Sequence, residues 1–398
     1  MTKLNLQRST GAGLHVRHEK AGLILDSLPI PWNADAVIVE ANVRLPSSAS
    51  YAKDQFTLQF SDNAPTAWAE VLMPSPKNGP LRVFFRLLVP AKTCTAQFYW
   101  REHRLGQIDL PIVSAADYVN GFSIDLTSLQ ATIGERTAAC RSFVSAQVKA
   151  LFASAVLRAQ HPLASAIDLD LAVEVRRADG ERIGRVEVAL TAEQRRLRQA
   201  LTTVLLPKPR NVGNYEVSWH LRDKILLRVP FEIVSKKTLA NSPRISATRF
   251  IVRHTDGTQQ NVRALPTRDG LLILDGISEV APVFFVCSHK TGLAGIVPFA
   301  LRILVGDLLS TIGIDEKVLI TDGPTPIVLG TVSADALSRT KHFSLASGTK
   351  TLGNLAVLPA PATDFTGEGG FEPTDDFVWT AAAEEQLNER LGKLLGDA

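Results

Sequence analysis

Along most of this chain apolar residues recur at every second position, the period of a half-buried strand rather than of a helix. Phe98 and Trp100 close one such run; after a polar turn the alternation resumes in Leu105-Gly106-Gln107-Ile108-Asp109-Leu110-Pro111. Tyr215, Val217 and Trp219 close a second, with Ile225 to Pro230 beyond the turn. In both, eleven positions separate the tryptophan from the proline. A looser third version has Phe343 and Leu345, a Ser347-Gly348 turn, then Leu352-Gly353-Asn354-Leu355. Each reads as an antiparallel hairpin.

Features upstream of these hairpins recur as well. Phe56 to Phe60 matches Leu171 to Val175, Trp68 to Met73 matches Ile183 to Val188, and Leu88-Val89-Pro90 matches Leu205-Leu206-Pro207. Gly22 to Asp26 answers Leu271 to Asp275 between the first and third versions. Offsets near 115–119 and 246–249 are one and two domain lengths, so the chain reads as three tandem copies of one β-rich domain. The copies span 12–115, 119–236 and 243–363, with short linkers at Ser114 to Gly121 and Ser235 to Arg244, and a distinct segment occupies 364–398. Asp-Gly pairs at 179–180, 256–257, 269–270, 275–276 and 322–323 fall between apolar runs, where glycine supplies the positive φ of tight turns.

Many short strands punctuated in this way predict an all-β fold of three tandem β-sandwiches, immunoglobulin-like in packing. The hairpin running from Leu105-Gly106 into Ile108, Leu110 and Pro111 also resembles the closing strands of a C2-type sandwich. That resemblance implies a fold only, because the clustered aspartates of calcium-binding C2 domains are missing. Phe143 to Gln160 fits a helix with Val144, Val148, Leu151 and Ala155 on one face. The repeat places Val144 to Leu151 opposite Val39 to Arg44, which favours a strand, with a helical turn before Pro162.

Composition adds bounds. With 398 residues, 45% of them hydrophobic and 21% charged, each copy can bury a core of its own. Cys94, Cys140 and Cys287 are an odd count without a close pair, which argues for a reducing compartment and a cytoplasmic protein. Met1 to Gly11 is polar and carries no secretory pattern, and Leu293 to Val305, interrupted by Pro298 and Arg302, reads as buried strand rather than membrane span. The net charge of +3 hides an asymmetry: residues 1–363 carry a balance of +10 and residues 364–398 one of −7.

Catalytic patterns are sparse. Cys287-Ser288-His289 puts thiol and imidazole at i and i+2, on one face of a strand, yet the core-like run Pro282 to Val286 leads into it. His15 and His18 sit at i and i+3, opposite faces of a strand and poor geometry for a shared metal. Asp168, Asp170 and Glu174 alternate as on a solvated outer face. Arg195, Arg196 and Arg198, with Arg176, Arg177, Arg182 and Arg185, make the second copy arginine-rich, but interspersed acids break any clean basic face for nucleic acid. No nucleotide-binding loop or nucleophile elbow occurs, and no cofactor or metal is expected.

The last segment departs from the rest. Between Asp364 and Trp379 an acidic, glycine-rich stretch carries Phe365, Phe371, Phe377 and Trp379, rings that a plain linker does not need. A helix follows: Thr380 can cap it, Glu384 and Glu385 suit its positive end, and Leu387, Leu391, Leu394 and Leu395 form one apolar stripe. A helix this short needs something to pack against, either its own third copy or a partner. The sequence thus predicts a non-catalytic intracellular scaffold or adaptor that engages a protein partner, or itself, through Phe371, Phe377, Trp379 and the four leucines. A ligand-binding sandwich face, for carbohydrate for example, is the alternative. It is weakened by only 5 Trp and 4 Tyr, with Trp68, Trp100 and Trp219 at positions that look like core. A hydrolase built on Cys287 and His289 ranks below it.

Overall fold

The computed structural model describes residues 12–45, 50–61, 65–73, 80–263, 270–273, 276–305, 308–337 and 339–359. The first copy holds β1 (Ala12–Lys20), β2 (Leu23–Leu25), β3 (Ile30–Pro31), β4 (Ala36–Val43), β5 (Phe56–Phe60) and β6 (Ala67–Trp68). It continues with β7 (Val71–Met73), β8 (Leu81–Leu87), β9 (Cys94–Trp100), β10 (His103–Leu110) and β11 (Ile112–Val113). Two sheets, β2-β1-β4-β8-β7 and β10-β9-β5-β6, face each other across Val39, Phe56, Phe85, Phe98 and Trp100. Alternation explains the packing: β9 reads buried-intermediate throughout, its Cys94, Ala96, Phe98 and Trp100 all turned inward.

The second copy holds β12 (Ser123–Ile133), β13 (Arg136–Ala139), β14 (Ser142–Phe143), β15 (Val148–Arg158) and β16 (Ala172–Arg177). It continues with β17 (Arg182–Glu187), β18 (Gln199–Leu206), β19 (Gly213–Leu221) and β20 (Lys224–Ile233). Sheet β13-β12-β15-β18 packs on β17-β16-β19-β20 around Leu151, Val173, Val217 and Trp219. The third holds β21 (Pro243–His254), β22 (Gln259–Arg263), β23 (Gly270–Ile273), β24 (Ile277–Ser288) and β25 (Leu293–Val305). Its remaining strands are β26 (Leu308–Ile320), β27 (Thr325–Ile327), β28 (Val332–Ser333), β29 (Thr340–Ser347) and β30 (Lys350–Pro359).

The same order recurs in all three copies. The first strand folds back on a short neighbour in β1-β2, β12-β13 and β21-β22, and the copy closes with the hairpins β9-β10, β19-β20 and β29-β30. In the first copy β1, β4 and β8 lie on one sheet against β5, β9 and β10 on the other; β12, β15 and β18 stand likewise against β16, β19 and β20, and β21, β24 and β27 against β25, β29 and β30, which is the immunoglobulin arrangement. The protein is therefore a tandem array of immunoglobulin-like sandwiches. The copies differ at the edge of the first sheet. In the first copy β7 covers β8; in the third the equivalent β27 has 3 residues; in the second, β18 has 8 residues and pairs only with β15 among the described strands.

Both linkers are short helices rather than extended connectors. Ser114 accepts the Asp117 N–H to cap α1 (Ala115–Asn120), and a second helix, α2 (Ala192–Arg196), is held by a capping box between Thr191 and Gln194. Ser235 caps α3 (Lys236–Asn241) through the Thr238 N–H as Ser114 caps α1, and each linker helix buries one side chain, Tyr118 or Leu239. Within Phe143 to Gln160 the strand expected from the repeat is present as β15, but Ser145 to Gln147 ahead of it form a 3-10 turn, and a longer 3-10 turn (Leu163–Leu169) follows Pro162 rather than preceding it. Two sequence matches do not survive in space. β2 pairs with β1 whereas β23 pairs with β30, so Leu23 to Leu25 and Leu271 to Ile273 occupy different places. Trp68 lies on the two-residue edge strand β6 and is 58% exposed, unlike the buried Trp100 and Trp219.

Candidate functional site

The partner-binding residues expected from the sequence, Phe371, Phe377, Trp379, Leu387, Leu391, Leu394 and Leu395, lie outside the described residues. The other candidates can be placed. Cys287 is buried near the end of β24, where Arg244 Nε donates to its Sγ at 3.4 Å. His289 lies one residue past that strand and its Nδ1 bonds the Ser242 main-chain oxygen at 2.7 Å. The strand ends between them, so each side chain is engaged elsewhere and no nucleophile–base pair forms. Cys94 and Cys140 are likewise buried and in no disulfide, and burial pushes Cys140 up to about 12, far from a reactive thiolate.

The two histidines of β1 diverge as their spacing predicts. His15 faces solvent and meets Asp26 at 3.1 Å, while His18 is buried. Among the described residues no group of three or more His, Cys, Asp or Glu gathers to hold a metal. Among them, too, no helix is long and apolar enough to cross a membrane. Asp168, Asp170 and Glu174 do not share a solvated face. The two aspartates lie at the turn before β16, Asp170 with φ of 52°, and Glu174 is buried inside the strand and paired with Arg176. An open cleft of about 350 Å³ is lined there by Asp168, Asp170, Leu171, Glu187 and Leu190. Its aspartates are already committed, Asp168 to Lys20 and Asp170 to Arg185.

Sequence reasoning missed the polar joint between the first two sandwiches. On β1 the inward positions run Val16, His18, Lys20, so the core face turns cationic at the end nearest the second copy. Lys20 Nζ bonds Asp168 and, at 2.7 Å, the Asn33 main-chain oxygen; Asn33 Nδ2 reaches the Ser165 oxygen at 3.2 Å and Asp168 at 3.0 Å. Trp32 sits edge-on to Tyr118 with centroids 5.7 Å apart, and the Tyr118 hydroxyl donates to the Pro162 oxygen at 3.1 Å. Burial holds the His18 imidazole down at about 4. The Ser27 main chain offsets this in part, and His161 across the joint adds to it. The second joint is main chain instead. β14 pairs in parallel with β20 on one side and β25 on the other, so the second and third sandwiches share one ten-stranded sheet. Gln147 extends it, its amide exchanging two 2.8 Å bonds with the Ile296 main chain.

No protein-family model matches the chain, and no curated protein sequence matches it. Among solved structures it is similar to invasin, a bacterial integrin-binding protein, at 12% identity over 88% of this chain, with a TM-score of 0.24. The chain spans 60% of the invasin chain it matches. An Escherichia coli adhesin, FdeC, is similar at 9% identity over 87% of this chain and 96% of its own, with a TM-score of 0.25. Domains 4–9 of the surface layer protein SbsC are similar at 10% identity over 88% and 48%, with a TM-score of 0.28. The assignment as tandem immunoglobulin-like sandwiches stands on the strand order itself.

Proposed function

We propose that this chain is a non-catalytic intracellular scaffold or adaptor: three sandwiches joined in series that present the acidic segment 364–398 to a protein partner or to a second copy. The observation that carries the reading is the second joint. A strand shared between two sandwiches, with an amide exchanging main-chain bonds beside it, makes a fixed spacer, a property useful to a scaffold. The charge balance supports it, because a tail of −7 on a body of +10 favours a docked or exchanged tail over a free one. Three buried cysteines outside any disulfide fit a reducing compartment. Phe371, Phe377 and Trp379 would anchor the contact, and the Leu387, Leu391, Leu394 and Leu395 stripe would complete it.

The test compares the full chain with one ending at Thr363, by sedimentation and by co-purification from the native cell. Association present only in the full chain supports the proposal. Equal behaviour of the two overturns it and moves the search to the sandwich faces. Loss of cooperative unfolding on truncation also overturns it, by placing the segment on its own third sandwich.

A further inference from the structure

Strand β18 alternates strictly between core and solvent. Ala200, Thr202, Val204 and Leu206 are buried; Gln199, Leu201, Thr203 and Leu205 are exposed, the two leucines each by 58%. Across the sheet, Phe152 of β15 stands opposite Leu205 and Val156 opposite Leu201, while Ser154 and Thr203 join hydroxyls at 3.0 Å between them. The main chain of the exposed residues faces outward too. Ala159 N–H donates to the Arg198 oxygen at 2.8 Å, and in an antiparallel ladder alternate residues turn both main-chain groups to the same side. Steps of two from Arg198 point Ala200, Thr202 and Val204 toward β15 and leave Leu201, Thr203 and Leu205 facing the open edge. Gln194 agrees with this sense, reaching the Leu201 oxygen from outside at 2.8 Å.

The first copy covers this position and the second does not. β7 lies along β8 through Val71↔Phe84, Leu72↔Val83 and Met73↔Arg82. The corresponding stretch of the second copy leads from Val188 to Leu190 into α2, so among the described residues no strand lies along the outer edge of β18. An eight-residue edge with exposed leucines and no charge of its own is a template for another strand. Its ends say which strand. Arg195, Arg196 and Arg198 precede it and Lys208 and Arg210 follow it, against Glu193 as the one acid between Thr191 and Val212. A second copy pairing antiparallel about Thr203 would set Arg198 against Lys208, a like-charge contact that disfavours self-association. We propose that β18 accepts an extended segment of a protein partner as an added strand, with apolar residues at alternate positions and carboxylates at both ends. β18 is no part of segment 364–398, so the two ideas are tested by different variants.

The probe is a labelled peptide with a Val-Thr-Val-Thr-Val centre flanked by Asp and Glu, beside a counterpart flanked by lysines, titrated into the full chain. The acidic peptide should bind, should weaken as salt rises, and should slow amide exchange at Thr203 and Leu205. Thr203→Pro removes an outward N–H and should weaken binding about tenfold or more. A chain ending at Thr363 should bind equally well. If Thr203→Pro unfolds, Arg196→Glu with Arg210→Glu, both exposed, carries the test by reversing the preference between the two peptides. No binding up to about 1 mM, equal binding of both peptides, or indifference to both variants overturns the proposal. A dimer of the free chain that Thr203→Pro abolishes also overturns it, assigning the edge to a second copy.

Discussion

Lys20 of the first sandwich carries its ammonium into contact with Asp168 of the second, 148 positions away in sequence. The pair is asymmetric: the Lys20 side chain keeps 7% of its exposure and that of Asp168 keeps 45%. Asp168→Asn leaves a desolvated ammonium with only the Asn33 oxygen and, at 3.6 Å, Asp35, whereas Lys20→Met leaves a carboxylate that water can reach. The expected cost is about 2 kcal/mol for Asp168→Asn and about 1 kcal/mol or less for Lys20→Met. Thermal unfolding measures the difference. Small-angle scattering should show the first sandwich swinging free in Asp168→Asn, and an unchanged profile would mean that the Trp32–Tyr118 contact and the Asn33–Ser165 bond hold the joint without the ion pair.

The same joint makes stability depend on acid. Unfolded, His18 takes a proton near 6.5; folded, burial holds it to about 4, with His161 across the joint adding to the shift. Lys20 shares its strand face, and Arg198 depresses His161 in turn. The unfolded chain therefore binds more protons between about pH 6.5 and 4. Stability is fully present above that window, falls through it by on the order of 2–3 kcal/mol, and levels off below. Denaturant midpoints measured across the window should flatten in His18→Leu. A wild-type midpoint independent of pH would show that the imidazole stays neutral without cost.

Much of the fold was legible because paired strands repeat a signature at every second residue. Phe98-Trp100 and Tyr215-Val217-Trp219 sit where aromatic side chains meet the opposite sheet, and both reached the core. Trp68 shows the limit: the same residue type on a two-residue edge strand has no opposing layer to enter. Cys287 and His289 show another, since the i, i+2 rule holds only while the strand continues, and this one stops at Ser288. The joint was hidden for a different reason. Lys20, Asn33, Ser165 and Asp168 are unremarkable singly and meet only when two domains dock. One local signal was present, the Val16-His18-Lys20 alternation that sends a cation to a buried face. For β18, alternation marks a strand but does not say whether its outer edge is covered; that was decided by the chain running through α2, with no added strand, where the first copy inserts β7.

Phe143 tests the shared sheet. It is fully buried in the two-residue strand between sandwiches, stacked on Phe231 with centroids 5.9 Å apart, and its main-chain oxygen accepts from Val234 at 2.9 Å. Phe143→Ala should cost about 3–5 kcal/mol, since little around it can collapse into the void. If β14 couples the two sandwiches, calorimetry should resolve the second and third transitions in the variant where the parent gives one. A single transition, merely lowered, would limit Phe143 to the core of the second sandwich.

Gly295 tests the linker helix. It lies in β25 directly beneath α3, where an added Cβ would stand 2.5 Å from Leu239 Cδ2, 2.7 Å from its Cδ1 and 3.1 Å from Gln147 Oε1. Leu239 is buried and Gln147 is held by two main-chain bonds to Ile296, so neither can retreat without giving up packing or the bonds that extend the sheet. Gly295→Ala should therefore destabilise by about 1–3 kcal/mol through overpacking rather than through backbone strain. The mechanism is separable by a double-mutant cycle. Leu239→Ala alone loses buried surface, but combined with Gly295→Ala it makes room for the new methyl, so the pair should cost clearly less than the sum of the singles. Additive costs would instead place the penalty on Gln147 and its contact with the third sandwich, which Gln147→Ala in the Gly295→Ala background would then relieve.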